Sequence, residues 1–357
     1  RPSAGVTESG LTIKDLENSD LTYEKKHELN IGADLGFLDN RINLTVDWYK
    51  RDNFDLIGLV MTQGIGGQIQ KYGNVATMKS RGIEFSLSTK NIKTKDFSWT
   101  TDFIYSHMKN EVTKFNTSTR AFNLVSGIGF SREGYPVNSL FSYDFRGLNE
   151  DGVPTFINEA GVLTSTDINF QETERFDNLV YSGPSEPTDV GSFGNIFQYK
   201  GLRLNVFITY SFGNVVRLDP VFSSIYNDLD AMPREFRNRW MTPGDERYTD
   251  VPAIVSSRQV RNDSKLSYAY NAYNYSTARI AKGDFIRMKE ISLTYDFPKR
   301  WIKKLRMSNL ALKIQATNLF LIYADKKLNG QDPEFFNSGG VATPVPKQFT
   351  LTLKIGL

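Results

Sequence analysis

The chain has no cysteine, which excludes disulfides, thiol nucleophiles and cysteine-ligated metals. Only two histidines occur, His27 and His107, in separate strand-like segments, so a histidine-built metal or catalytic site would need other ligands. No run of about 18 apolar residues is present, which rules out a transmembrane helix. Neither sign of charge dominates: 43 Lys plus Arg stand against 40 Asp plus Glu. Without a dominant basic patch, no nucleic-acid partner is expected. No signal-peptide pattern opens the chain. Arg1 is not an initiator, so the sequence reads as a mature product or a piece of a longer protein.

Motifs of catalysis are missing too. There is no Gly-x-Ser-x-Gly elbow, and no carboxylate pair stands out as acid and base. Gly64-Ile65-Gly66-Gly67 lacks the flanking strand, helix and Lys-Ser/Thr of a phosphate cradle and reads as a loop. Asn149-Glu150-Asp151-Gly152 lacks the distal Glu of a calcium loop and reads as a turn. Asp332-Pro333-Glu334 reads as a turn that anchors its loop. The expectation is therefore no catalytic, metal or cofactor-binding residue, no cofactor, and no enzyme. Loop stretches 226–228 and 268–275 hold Tyr beside Asn and Asp. Such aromatic faces suit sugars or peptides, or they pack the loops on each other and on a partner.

What the sequence has is alternation. In 347–357, Phe349, Leu351, Leu353, Ile355 and Leu357 alternate with Thr350, Thr352, Lys354 and Gly356. A strand sends successive side chains to opposite faces, so this is one apolar and one polar face. The pattern recurs at about 24–37, 41–55, 80–90, 96–112, 189–199, 202–214, 283–297 and 308–322. Asn30, Asp34, Asn43, Asp47, Asp102, Arg203, Lys313 and Gln315 then share the polar face.

The connections decide the class. Turns near 39, 93, 200 and 301 are short, whereas connections at about 57–78, 113–188, 213–282 and 322–346 are long. Outer-membrane barrels have short periplasmic turns and long extracellular loops. This parity holds only if the strand-like stretches 139–147 and 153–157 fold back within a loop. Mean hydropathy is −0.39, which suits a soluble protein but equally a barrel with a polar lumen. Aromatic pairs near strand ends, such as Trp48-Tyr49 and Tyr295/Phe297, fit interfacial girdles. A secreted sandwich or jelly roll also alternates, but carries turn signals every 8–12 residues or so at both ends.

Several segments resemble the C-terminal barrel of SusC/RagA-like TonB-dependent outer-membrane transporters of the Bacteroidetes. They are Tyr23-Glu24-Lys25-Lys26 leading into 29–38, Asn40-Arg41-Ile42, Gly73-Asn74-Val75 and Ser80-Arg81-Gly82-Ile83. They continue with Arg239-Trp240, Pro243-Gly244-Asp245, Gly283-Asp284-Phe285-Ile286-Arg287, and Gly330 before Asp332-Pro333-Glu334. The resemblance implies an all-β antiparallel barrel of about 22 strands, plugged by an N-terminal domain. It also implies TonB-driven import of an oligosaccharide or peptide beneath a SusD-like surface lipoprotein. Residues 1–357 would then be the C-terminal portion of one barrel domain, with about nine strands. The plug and TonB box have no counterpart here, so TonB would act through a region outside this chain. Missing N-terminal strands would pair with the first and last strands. Three alternatives are a siderophore or vitamin receptor, a secreted carbohydrate-binding or glycan-hydrolysing β-protein, and a structural barrel scaffolding surface assembly.

Overall fold

The computed structural model describes residues 17–62, 64, 69–117, 119–127, 132–221, 232, 234–304, 307–335 and 346–356. Nine strands form one antiparallel sheet in chain order. They are β1 (Lys25–Phe37), β2 (Ile42–Met61), β3 (Gln70–Lys93), β4 (Phe97–Phe115), β5 (Asp189–Tyr199), β6 (Leu202–Phe212), β7 (Phe285–Asp296), β8 (Asn309–Ala324) and β9 (Gln348–Gly356). The sheet does not close on itself, and β1 and β9 are its edges.

Register carries the alternation across the sheet. Ile31 opposes Trp48 and Ala33 opposes Val46 on one face, while Asp34 opposes Thr45 on the other. Leu204 opposes Leu293 and Val206 opposes Ile291 in the β6–β7 pair. The polar face is laced together: Thr45 Oγ1 donates to Asp34 at 2.6 Å, and Ser88 Oγ donates to Asp102 at 2.7 Å. Asn205 Nδ2 donates to Glu290 at 3.2 Å.

The apolar face has no second layer over it. None of Leu204, Val206, Ile208, Leu310, Leu312 and Ile314 is buried. Ile31 is 60% exposed and Leu351 70%. A face this wide and apolar needs an apolar solvent, which excludes the sandwich reading. Several of its polar members toward the middle of the sheet are paired among themselves. Asn195 Oδ1 accepts from Trp99 Nε1 and Thr101 Oγ1, each at 2.8 Å. His107 Nδ1 and Tyr105 Oη both reach Asp189 Oδ1, at 2.8 and 2.6 Å. Trp99 stacks on Phe197 with centroids 5.6 Å apart, a contact worth about 1 kcal/mol beyond its area. The Trp48-Tyr49 pair divides, with Trp48 exposed on the apolar face and Tyr49 buried on the polar one.

Two connections differ from expectation. The stretch 57–78 is mostly strand, because β2 runs to Met61 and β3 starts at Gln70. Its glycines serve pairing: Gly58 opposes Gly73, and a Cβ on Gly58 would lie 2.6 Å from Val75. Of Gly64-Ile65-Gly66-Gly67, only Gly64 lies within the described residues. The turn near 301 holds a helix, Lys299–Lys304. In the turn between β1 and β2, Leu38, Asp39 and Asn40 all take positive φ, between 53° and 59°.

The long connections build one body at the opposite end from the short turns. Ser139–Tyr143 pairs with Leu179–Pro184, and Phe145–Leu148 pairs with Pro154–Ile157. None of these strands joins the large sheet, so 139–157 is the expected fold-back. Val125, Phe141, Tyr143 and Phe156 from the first connection pack with Val221, Val251, Ala272 and Tyr273 from the second. Each large side chain buried here contributes roughly 1.5–3 kcal/mol, so neither connection keeps this core without the other. The body leans over the polar face, where Asn110 of β4 accepts from the Val137 N–H at 2.8 Å.

Candidate functional site

Two junctions between the loop body and the sheet are built from motifs singled out in the sequence, and the body holds a cleft of its own. The first is a reciprocal clamp. Gly213 N–H donates to Asp284 at 2.8 Å, and Gly283 N–H donates to the Asn214 carbonyl at 2.9 Å. Gly213 has φ +90°, and a Cβ on Gly283 would collide with the Asn214 amide. Beyond the clamp, Val215–Arg217 pairs with Ile280–Lys282 and leads into the body.

The second junction joins Gly283-Asp284-Phe285-Ile286-Arg287 to Asp332-Pro333-Glu334. Arg287 opposes Thr209, and Glu290 opposes Phe207 two residues away, so an extra residue is accommodated between Arg287 and Glu290. This bulge brings both side chains to the polar face. Arg287, 4% exposed, forms an ion pair with Asp332 and a second with Glu334 at 3.1 Å. The anchoring role expected of Asp332-Pro333-Glu334 thus has a physical basis. Upstream, Asp325 accepts from Lys282 N–H at 2.8 Å, and Leu328 buries itself with Val216, Leu218 and Ala281. Segment 325–335 is therefore a strap between sheet and loop body.

Within the loop body lies a cleft of about 560 Å³ lined by Arg217, Asp219, Asn271, Asn274 and Tyr275, among others. Arg217 donates to the Phe141 carbonyl at 2.7 Å and to Ser142 Oγ at 3.2 Å. Burial pushes its guanidinium down to about 10. Arg279 nearby is 3% exposed and paired with Glu235. The charge is held by fixed carbonyls and one carboxylate, so these arginines stiffen the body. The cleft floor offers amides, a carboxylate and an aromatic ring, which suits a polar, hydrogen-bonding ligand.

The remaining motifs are structural. Asn149 Oδ1 accepts from the N–H groups of Asp151 and Val153, at 3.1 and 2.8 Å, making 149–152 an Asx turn. Gly152 has φ +72°, and its missing side chain leaves room for the Trp240 ring, 2.5 Å from an ideal Cβ. Trp240 Nε1 donates to Glu246 at 3.2 Å, and Asp245 accepts from Met241 and Thr242 N–H at 3.0 Å. The aromatic stretch 268–275, expected as loop, is mainly a helix, Leu266–Asn274, and it takes the packing role of the two left open. Tyr270 and Tyr273 are core residues, 1% exposed, while Tyr268 stays open at 47%. The stretch 226–228 lies outside the described residues. Sequence reading did not find Arg217, Arg279 or Arg287 on one side of the molecule. The spacing of Arg287 to Glu290 hides it, because strict alternation puts residues three apart on opposite faces.

The polar face of Asn30, Asp34, Asn43, Asp47, Asp102, Arg203, Lys313 and Gln315 is a single surface by register. A lipid-type face, a polar face and a loop body braced above it define the wall of a membrane β-barrel. Residues 2–319 match the family described as TonB dependent receptor-like, beta-barrel, and the chain belongs to that family of outer-membrane barrels. It is 27% identical over 357 aligned residues to TonB-dependent receptor SusC of Bacteroides thetaiotaomicron, covering 95% of this chain and 32% of that protein. It is 26% identical to TonB-dependent receptor P3 of Formosa agariphila, covering 91% of this chain and 32% of the relative. The structure of the RagAB peptide transporter superposes with TM-score 0.75 at 24% identity, over 98% of this chain and 37% of that one. The chain thus spans about a third of the length of these curated relatives.

Proposed function

We propose that this chain is the C-terminal wall and loop crown of a TonB-dependent importer that brings an oligosaccharide or peptide across the outer membrane. The observation that carries this reading is the loop body braced over the polar face by the strap 325–335. In this reading the short turns face the periplasm, and the body faces the exterior, where it meets a SusD-like lipoprotein. The polar face lines a lumen occupied by a plug domain that TonB displaces. The edges β1 and β9 pair with further wall strands, since each unsatisfied backbone group in hydrocarbon costs several kcal/mol. RagAB, which shares the fold, is a peptide transporter, and that supports peptide as one of the two ligand classes.

The test is growth of a strain whose full-length gene is deleted, on defined oligosaccharides, on peptides and under iron limitation. Loss of growth on one organic nutrient, reproduced by loss of TonB, fits import of that nutrient. Loss only under iron limitation would replace it with siderophore uptake.

A further inference from the structure

The apolar face ends at a cluster of cations. On β2, Trp48 is followed on the same face by Lys50; on β3, Ile83 is followed by Arg81 and Lys79; on β4, His107 is followed by Lys109. Register makes these neighbours, with Lys50 opposite Arg81 and Arg81 opposite Lys109. All four cations are exposed. Together with Trp48 and Glu111 they line a concavity of about 300 Å³. Lys50 has a weak partner in Asp52, 3.7 Å away. Lys79, Arg81 and Lys109 form no ion pair with any described residue.

Position gives this cluster its meaning. It lies on the lipid-type face, not on the polar one, and on the loop-body side of the apolar band. A tilted strand advances roughly 2.5 Å per residue along the membrane normal, so Lys50 and Arg81 stand about 5 Å above the Trp48 ring. Trp marks the interfacial level in such barrels. The cations therefore reach the depth of lipid headgroups, where one wall of their surroundings is lipid.

We infer that Lys50, Lys79, Arg81 and Lys109 form a binding site for the phosphorylated headgroup of an outer-leaflet lipid, with Trp48 against its acyl chains. Arg81 supplies a planar fork suited to phosphate, and the three lysines supply point charges around it. This rests on the orientation in the proposed function. A site of this kind would fix the depth of the barrel wall beside its loop body.

The experiment uses the full-length protein, purified in detergent, and native mass spectrometry with phosphorylated lipid A or its dephosphorylated form. Each surface cation removed should weaken binding of the phosphorylated form about fivefold. Arg81→Gln then loses about fivefold, and Lys79→Gln/Arg81→Gln/Lys109→Gln about a hundredfold. Lys93→Gln/Lys95→Gln, at the short-turn end, should bind like the parent. Heat-modifiable migration on gels shows that each variant keeps its barrel. Equal binding of the dephosphorylated lipid, or unchanged binding by the triple variant, would overturn the inference. Competition by inorganic phosphate as effective as that of the lipid would make this a free-anion site and also overturn it. Failure of the protein to fractionate with the outer membrane would instead overturn the underlying functional reading.

Discussion

Replacing Asp332 with Ala tests whether segment 325–335 is a strap. Arg287 is 4% exposed and Asp332 9%. Removing one partner of a buried ion pair costs about 3–5 kcal/mol, because the remaining charge stays in a poorly hydrated place. Glu334, 3.1 Å from Arg287 Nε and 36% exposed, offsets part of this, which puts the expected loss near the lower end, ~3 kcal/mol. Leu328 still buries apolar surface and Asp325 still holds Lys282 N–H. The loss should therefore appear as local opening, not as collapse of the barrel. An equilibrium shifted by ~3 kcal/mol raises the open population roughly 150-fold. Hydrogen exchange of amides 328–335 in the full-length protein reads this directly, with β6 and β7 amides as internal reference. Pairing Asp332→Ala with Arg287→Met should recover much of the loss, since the lone charge is then gone. Exchange in Asp332→Ala no faster than in the parent would refute the strap.

Gly152→Val should open the 149–152 turn and displace Trp240, because a β-branched residue at φ +72° is strained and its Cβ meets the ring. The expected cost is about 2–4 kcal/mol, visible as new protease cleavage near 150 with the barrel still heat-modifiable. Val206→Arg, on the apolar face at mid-strand, should cost roughly 2–4 kcal/mol in a lipid-refolding titration. Asn205→Arg, one residue away on the polar face, should cost under about 1 kcal/mol. Alkali should loosen the loop body first. Burial pushes the Tyr273 hydroxyl from 10.0 up to about 12, and burial raises Tyr143 and Tyr270 as well. Each folded-state value is raised, so the stabilisation is present below pH ~10 and is lost as pH climbs toward 12, about 3 kcal/mol for Tyr273 alone. Tyrosinate absorbance rising together with faster exchange in the body, before β6 is affected, is the expected result.

The wall was legible in the sequence because period-two alternation survives wherever one face meets lipid. Strand β5 spans 189–199 as read, and the parity of short and long connections placed 139–157 inside a loop. The parts that escaped reading are those where tertiary contacts override local pattern. Gly58 and Gly73 look like loop residues, yet they oppose each other in a ladder where a Cβ would strike Val75 or Val60. The bulge between Arg287 and Glu290 leaves no mark in alternation and becomes visible only through the partner strand. The aromatic run 268–275 leaves ligand contact and loop packing both open in the sequence, because Tyr beside Asn suits either. In the fold, Tyr270 and Tyr273 fill the shared core of two connections far apart in sequence. No local signal states that these two connections meet.

The chain has no cysteine of its own, so single cysteines can be placed along β6 without background from this segment. Spin labels at 203, 204, 205, 206, 208 and 209 of the full-length protein in lipid would report access to oxygen and to a water-soluble nickel chelate. The account predicts strict alternation, with 204, 206 and 208 accessible to oxygen and 203, 205 and 209 to the chelate. Uniform protection of both sets, as in a core between stacked sheets, would contradict it.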